Sequence, residues 1–334
     1  MKNKLFLISF LNKLGYNLQC YERPLTIVLE KMGINYMYYM LFFKEYDTMI
    51  WGSNLQQYVS QKLGVDFITK FKSVQEFETI SKSQNLILYS DHFYNSQYYK
   101  YYNKKHYRHP FLLEYCKNNS CFIIDENLTA LKYNNKYYNW VYEENEINIQ
   151  QLKNICCNWS EENKSDKGFY YTQVKIRDKK IDICSDDIIK DYKELIEFLI
   201  DNILAIKEYF SESIFRFLSF SNYDYRSQLI NKLYNHNKAV NRQYRLVVNM
   251  LDMSGGINNL KNEQEFDILR NKLLILYNNM VKIHMANITV ENKNIIEIYE
   301  DIWKLELKLY IFFIQLINKG TLKKCIDIIQ YKIH

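Results

Sequence analysis

Two residues that could do acid–base chemistry, His109 and Asp125, begin and end a predicted β-hairpin. Apolar, aromatic-rich runs flank the polar cluster 117–120, which is the pattern of two strands joined by a turn. The histidine and the aspartate are sixteen positions apart. Because side chains alternate between the faces of a strand, the pair shares a face only if the turn holds an odd number of residues or a bulge shifts the register. On one face, the carboxylate can orient the imidazole as a base.

Cys20 is the candidate nucleophile for such a base. The residues after it that repeat at helical spacing are Leu25, Val28, Leu29 and Met32. Gly33 is a natural C-terminal cap, so the predicted helix begins close to Cys20, where the helix dipole favours a thiolate. Thiolate attack needs a base within hydrogen-bond reach, and the base needs an orienting acceptor. The sequence therefore predicts a catalytic triad of Cys20, His109 and Asp125.

The order and context of these three residues resemble the papain-fold cysteine enzymes of the bacteriocin-leader-processing type. Within that group the resemblance is closest to the N-terminal domain of butirosin biosynthesis protein H. It rests on Cys20 at a helix start, His109 leading a strand, Asp125 closing the next strand and the strand-to-loop stretch 86–95 before the histidine, and it covers roughly residues 10–155. It implies a papain-like domain that takes an acyl group from a carrier-protein thioester and passes it to an amine.

The resemblance also implies the partners and the setting of the reaction. We expect an acyl or peptidyl carrier protein and a small amine acceptor in thiotemplated secondary-metabolite biosynthesis. A related amide synthetase, that of closthioamide assembly, joins carrier-bound acyl chains to a diamine. No cofactor is expected, since the substrate arrives already activated on the phosphopantetheine of its carrier. The alternatives are a cysteine peptidase or amidohydrolase with the same triad, and a non-catalytic carrier-binding scaffold.

The oxyanion donors and the acceptor site are less clearly marked in the sequence. Papain-type enzymes carry a glutamine several residues before the cysteine, whereas Leu14 stands in that neighbourhood here. The candidate oxyanion donors are therefore Gln19 and Asn17. Asp91, at the end of a predicted strand, is a candidate to hold the ammonium group of the acceptor, with a solvated turn aspartate as the alternative.

Two other kinds of site are weaker hypotheses. The first is a zinc site, because His106 and His109 are three positions apart and Cys116 and Cys121 are nearby. The cysteine spacing is wider than in usual zinc sites, and a His109 that binds zinc could not act as the base. The tyrosine- and lysine-rich loop 89–108 is of a type that can stack single-stranded bases. Because the chain is rich in tyrosine throughout, we instead expect this loop to line an acyl channel or dock a carrier. We expect neither a metal nor a nucleic-acid partner.

Composition excludes several classes of protein. The net charge of +6 is low for a nucleic-acid binder, and no apolar run is long enough to cross a membrane. The seven cysteines are odd in number and irregularly spaced, which is typical of reduced, cytoplasmic proteins rather than of a disulfide framework. The adjacent pair Cys156 and Cys157 is expected at the surface.

Periodicity and composition predict an α+β chain of two domains. Residues 1–157 form a papain-like catalytic domain in this prediction, and residues 158–334 form a mainly helical domain. A polar stretch, 158–168, marks the boundary, and a short hairpin of 169–176 and 181–184 opens the second domain. From Asp186 onward the apolar residues repeat at helical spacing on three faces. The three faces are Ile188, Tyr192, Leu195, Ile196, Leu199 and Ile203, then Leu269, Leu273, Leu276, Met280 and Ile283, and then Ile298, Ile302, Leu305, Leu309 and Phe312. Few glycines and prolines interrupt them, since the chain has only 8 and 2.

Overall fold

The computed structural model describes residues 7–9, 11–12, 21–41, 60–83, 85–94, 103–104, 106, 108–127, 141–160, 167–177, 183–220, 222–253, 260–288 and 293–333. The chain divides into two compact units. One comprises Met1–Tyr39, Tyr58–Asp182 and Ile333–His334, and the other comprises Met40–Gln57 and Ile183–Lys332. The α+β class expected from the sequence is confirmed, because a sheet occupies the first unit and long helices occupy the second.

The first unit is built on a sheet in which all described pairings are antiparallel. Its strands are β1 (Val65–Ser73), β2 (Leu86–Asp91), β3 (Arg108–Lys117), β4 (Ser120–Asn127), β5 (Val141–Asn148), β6 (Trp159–Ser160) and β7 (Lys167–Ile176). Their order is β1-β7-β2-β3-β4-β5, and β6 pairs with β7. The helices with defined bounds in this part of the chain are α1 (Glu22–Lys31), α2 (Tyr36–Leu41), α3 (Phe77–Ser81) and α4 (Ile149–Cys156), and residues 7–9, 11–12 and 60–63 are also helical. Short 3-10 turns cover Val74–Glu76 and His92–Tyr94.

The helix predicted after Cys20 is present as α1. Gly33 adopts φ +66° and donates its N–H to the Glu30 carbonyl at 2.9 Å, which is the expected glycine cap. The residues from Glu22 to Glu30 are all buried, including the polar ones. A helix buried on every side belongs to the interior of its unit rather than to its surface.

The position of β7 corrects the predicted domain boundary. Residues 169–176, expected to open the helical domain, form a strand between β1 and β2 in the first unit. The boundary expected at 157 and 158 therefore lies between Asp182 and Ile183, and Met40–Gln57, expected in the first domain, belongs to the second unit. Of the predicted partner strand, residues 181–182 are outside the described part, and 183–184 are irregular and precede a helix. Local patterns miss this arrangement because β7 pairs with strands far away in the sequence.

The second unit is helical in its described residues. Its helices are α5 (Ser185–Asp201), α6 (Ile203–Ser219), α7 (Tyr223–Met253), α8 (Leu260–Ala286), α9 (Lys293–Asn318) and α10 (Thr321–Ile333). The predicted apolar faces of α5 and α8 are buried. On α9 the buried face is rotated from the predicted one, and it includes Glu306, which is fully buried. Among the described residues, no helix is long and apolar enough to cross a membrane.

Candidate active site

His109 and Asp125 form a buried hydrogen-bonded pair in the first unit. The Nε2 atom of His109 lies 2.7 Å from Oδ1 of Asp125, and the two side chains are only 2% and 10% exposed. A carboxylate is an acceptor, so Nε2 donates its proton to it. The Nδ1 atom is therefore the proton-accepting nitrogen of the neutral imidazole. The structure thus brings together two of the three residues of the predicted triad, in the geometry that a base and its orienting carboxylate need.

A bulge in β3 puts this pair on one face of the sheet. The turn between β3 and β4 holds two residues, Asn118 and Asn119, with φ +50° and +66°. An even turn alone would leave the two side chains on opposite faces. The register shifts between Leu113 and Tyr115, so that Glu114 is an extra residue on β3. The spacing required either an odd turn or a bulge, and the hairpin contains the bulge.

A salt bridge from α1 holds the bulge. The Nζ atom of Lys31 lies 2.5 Å from Oε1 of the buried Glu114 and donates to Oδ1 of Asn85 at 2.9 Å. The Asn85 N–H also donates to the Glu114 carbonyl, at 3.1 Å. The last turn of α1 is thereby tied to the residue that sets the register of the His109–Asp125 pair.

Replacing Lys31 with methionine is expected to destabilise the first unit by about 2–3 kcal/mol, since it removes the ammonium group that pairs with the buried Glu114 carboxylate. Urea titration followed by circular dichroism measures the change. Lys153→Met is the matched control, because Lys153 lies 3.5 Å from a Glu78 side chain that is 66% exposed. Exposed pairs of that kind contribute under about 1 kcal/mol. An equal loss of unfolding free energy in the two variants would contradict the inference that the Lys31–Glu114 salt bridge stabilises the bulge.

The two ends of α1 show which end of the sheet its N-terminus approaches. At the start of the helix, the Tyr21 side chain lies beside Thr172 and Tyr89, and Tyr89 pairs with Pro110 next to His109. At the other end, Lys31 reaches the bulge. Helix α1 therefore runs parallel to β3, and its N-terminus lies near the end of β3 that contains His109.

The faces of the sheet limit how the triad can close. His109 shares a face with Phe111, which packs in the core under α4. Thr172 and Tyr89, which contact Tyr21, lie on the opposite face. Cys20, Gln19 and Asn17 are outside the described residues. Tyr21, the first described residue after Cys20, therefore contacts the face of the sheet opposite to that of His109.

The other cysteines of the first unit are not suited to be nucleophiles. Cys116 and Cys121 pair across the hairpin in a disulfide, which corrects the expectation of a wholly reduced set. Cys156 and Cys157 are buried, so their expected surface position is wrong. Burial, with smaller effects from Cys157 and Asp125, raises the pKa of Cys156 well above its usual value. Burial raises the pKa of Cys157 to about 12. Both side chains therefore remain thiols at neutral pH.

Asp91 ends β2 with its carboxylate already engaged. Its Oδ2 lies 2.5 Å from Nδ1 of His106, and its Oδ1 accepts the Phe93 N–H at 3.0 Å. Its side chain is 2% exposed, so it is not a solvated turn aspartate. An ammonium group bound here would have to replace His106. The role in binding an amine remains a prediction.

The alternative metal site is not assembled in the described part of the chain. His106 and His109 each face a different aspartate, and Cys116 is bonded to Cys121. No three histidine, cysteine or acidic side chains are grouped as ligands among the described residues.

Comparison with known proteins gives no information on the chemistry of this site, so its chemistry is inferred from its geometry. No protein-family model matches the chain, and no curated protein matches its sequence. Within the described residues, the molecule is an α+β protein with a buried imidazole–carboxylate pair on adjacent antiparallel strands. Such a pair has the groups that one half of a nucleophilic catalytic site needs, and it can also act as an acid–base centre by itself.

Proposed function

We propose that this chain is a papain-like cysteine acyltransferase that forms amides in thiotemplated secondary-metabolite biosynthesis. It moves an acyl group from a carrier-protein thioester through Cys20 to an amine. The observation that carries the proposal is the buried hydrogen bond between His109 Nε2 and Asp125 Oδ1, at 2.7 Å. This bond fixes the tautomer in which Nδ1 can accept a proton from a thiol.

Two further observations support Cys20 as the nucleophile. The other four cysteines of the first unit are either joined in a disulfide or buried as thiols. The N-terminus of α1, which directly follows Cys20 and Tyr21, lies at the end of the sheet where His109 stands. The proposal requires the chain before Tyr21 to bring the thiol around that end.

The reaction proceeds by two attacks on one carbonyl carbon. His109 takes the proton of Cys20, and the thiolate attacks the thioester carbonyl. The bond to the carrier sulfur breaks, and the carrier thiol leaves with the proton from His109. An amine then attacks the acyl-enzyme and gives a proton to His109, and the amide leaves as the Cys20 thiol is restored. The buried position of the imidazole limits competing attack by water.

Intact mass spectrometry of the full chain, mixed with an acyl-pantetheine thioester, tests the nucleophile. We expect a mass gain of one acyl group, because a thiolate at Cys20 accepts the acyl chain. The gain should be absent from Cys20→Ala. Cys184→Ser is the matched control, since Cys184 is an exposed free cysteine of the second unit, and it should leave the adduct unchanged.

The product identifies the acceptor. Adding an amine to the acylated chain should release an amide, whereas a peptidase or amidohydrolase would release the acid regardless of the amine. A chain that gains no acyl group from any thioester, and whose Cys20 resists iodoacetamide, would exclude the catalytic proposal in favour of a carrier-binding scaffold.

A further inference from the structure

Arg108, the neighbour of His109, lies on a platform of three aromatic rings. Its guanidinium carbon is 4.4 Å from the ring centre of Tyr89, 4.2 Å from that of Tyr170 and 5.5 Å from that of Trp159. The Trp159 ring nitrogen donates to the Tyr89 carbonyl at 3.3 Å, which fixes the indole in place. We call these four side chains the Arg108 platform. Sequence reasoning missed it because Trp159 and Tyr170 arrive on β6 and β7, far along the chain from Arg108.

The charge of Arg108 is not neutralised within the described residues. Neither a hydrogen bond nor a carboxylate partner of its guanidinium occurs there, although Asp91 is its direct partner across the two strands. The Asp91 oxygens are instead bonded to His106 and to the Phe93 N–H. Aromatic rings attract a guanidinium through its faces and leave its N–H groups, which lie in the plane, available. The three aromatic rings therefore orient the Arg108 guanidinium, and its N–H groups can bind an anion.

The platform adjoins the proposed active site. The hydroxyl of Tyr89 lies 3.0 Å from Oγ1 of Thr172, and Thr172 contacts Tyr21 at the start of α1. Arg108 and His109 are consecutive, so their side chains leave β3 on opposite faces. A ligand that reaches both side chains has to be long and must pass the end of the strand. An acylated phosphopantetheine arm has this form, with its thioester at one end and a phosphate at the other.

We propose that the Arg108 platform binds the phosphate of the phosphopantetheine arm that delivers the acyl group. This proposal rests on the proposed function, because the arm is the donor in that reaction. Guanidinium groups bind phosphate through two parallel N–H donors, and stacking limits the rotation of the guanidinium before the ligand arrives.

Titration of the full chain with two ligands that differ by one phosphate tests this. The fluorescence of Trp159 reports binding at the platform, and Trp159→Phe should remove the signal. At low ionic strength we expect 4′-phosphopantetheine to bind about ten-fold more tightly than pantetheine, a ratio typical of one charge-assisted contact. In Arg108→Gln the ratio should fall to near one. In Arg108→Lys it should be intermediate, because the charge remains but the planar fork is lost.

Arg177→Gln is the matched control, since it removes the same charge from the same unit. Arg177 already pairs with Asp66, at 2.6 Å, so its loss should leave the ratio at the wild-type value. Equal binding of the two ligands by the wild type would overturn the proposal, as would an equal effect of both arginine variants. Inorganic phosphate that binds as tightly as phosphopantetheine would indicate a simple phosphate site and would overturn the assignment to the arm.

The same titration separates this proposal from the proposed function. Binding does not need the thiol, so the ratio should also appear in a Cys20→Ala chain. Discrimination between the ligands without acylation of Cys20 would leave the platform in place and exclude the acyltransferase. If acyl-pantetheine and acyl-phosphopantetheine acylate Cys20 at equal rates and both ligands bind equally, the phosphate-binding role of the platform is excluded and the acyltransferase proposal stands.

Discussion

Replacing His109 with glutamine is expected to slow the acylation of Cys20 about a thousand-fold, which lies within the range measured for removal of a general base. Glutamine can still donate to Asp125 Oδ1, so the hairpin keeps its buried bond, but its amide cannot accept a proton from a thiol. The rate of mass gain from an acyl-pantetheine thioester measures the effect. Asp125→Asn should also slow acylation, since it removes the carboxylate that favours the reactive tautomer.

His106→Gln is the matched control for this prediction. His106 also bonds to an aspartate, with Nδ1 2.5 Å from Asp91, but it is 62% exposed and bonds a different carboxylate. Its loss should change the acylation rate by less than about three-fold, because it is not the base. Similar rates for His109→Gln and the wild type, with unchanged circular dichroism, would exclude His109 as the base.

Replacing His236 with leucine is expected to destabilise the second unit by about 3–5 kcal/mol. The Nε2 atom of His236 lies 2.5 Å from Oε1 of Glu306, whose side chain is fully buried between helices. The variant leaves that carboxylate in the interior without a cation, whereas Glu306→Leu leaves an imidazole that can become neutral. We therefore expect His236→Leu to cost more than Glu306→Leu, and the double variant to recover most of the loss, as urea titration would show.

The pair also predicts a dependence of stability on pH. Burial opposes the charged imidazole, but the charge and hydrogen bond of Glu306 outweigh it and raise the pKa of His236 above 6.5. A raised pKa stabilises the folded chain fully below the unfolded value and progressively less as pH rises through the folded value. The free energy of unfolding should therefore fall as pH rises above about 6.5, and the double variant should lose that part of the slope.

A partly exposed ion pair between α6 and α9 gives the control for both measurements. Lys207 and Glu300 lie 2.5 Å apart, with side chains 29% and 38% exposed. Lys207→Met should cost under about 1 kcal/mol and keep the pH slope. A comparable loss in His236→Leu, or a slope that survives in the double variant, would contradict the assignment of the pair as a buried, charged unit.

The local elements of this protein follow from its sequence. The helix after Cys20, the hairpin that ends at Asp125 and the apolar faces of α5 and α8 all depend on the spacing of residues within a few turns or one strand. Helix and strand periods act over that range, so these elements could be predicted. The even spacing of His109 and Asp125 also restricted the hairpin to an odd turn or a bulge, and the structure contains the bulge.

The arrangement of those elements was decided only by tertiary structure. Glu114 is the bulge residue because Lys31 and Asn85 hold it, and the strand pattern of β3 does not mark it. The place of β7 between β1 and β2 moved the division of the chain and assembled the Arg108 platform. Glu306 interrupts the apolar pattern of α9, yet it is buried because His236 faces it. Each of these features depends on residues distant in sequence, whose pairing energy does not appear in any local period.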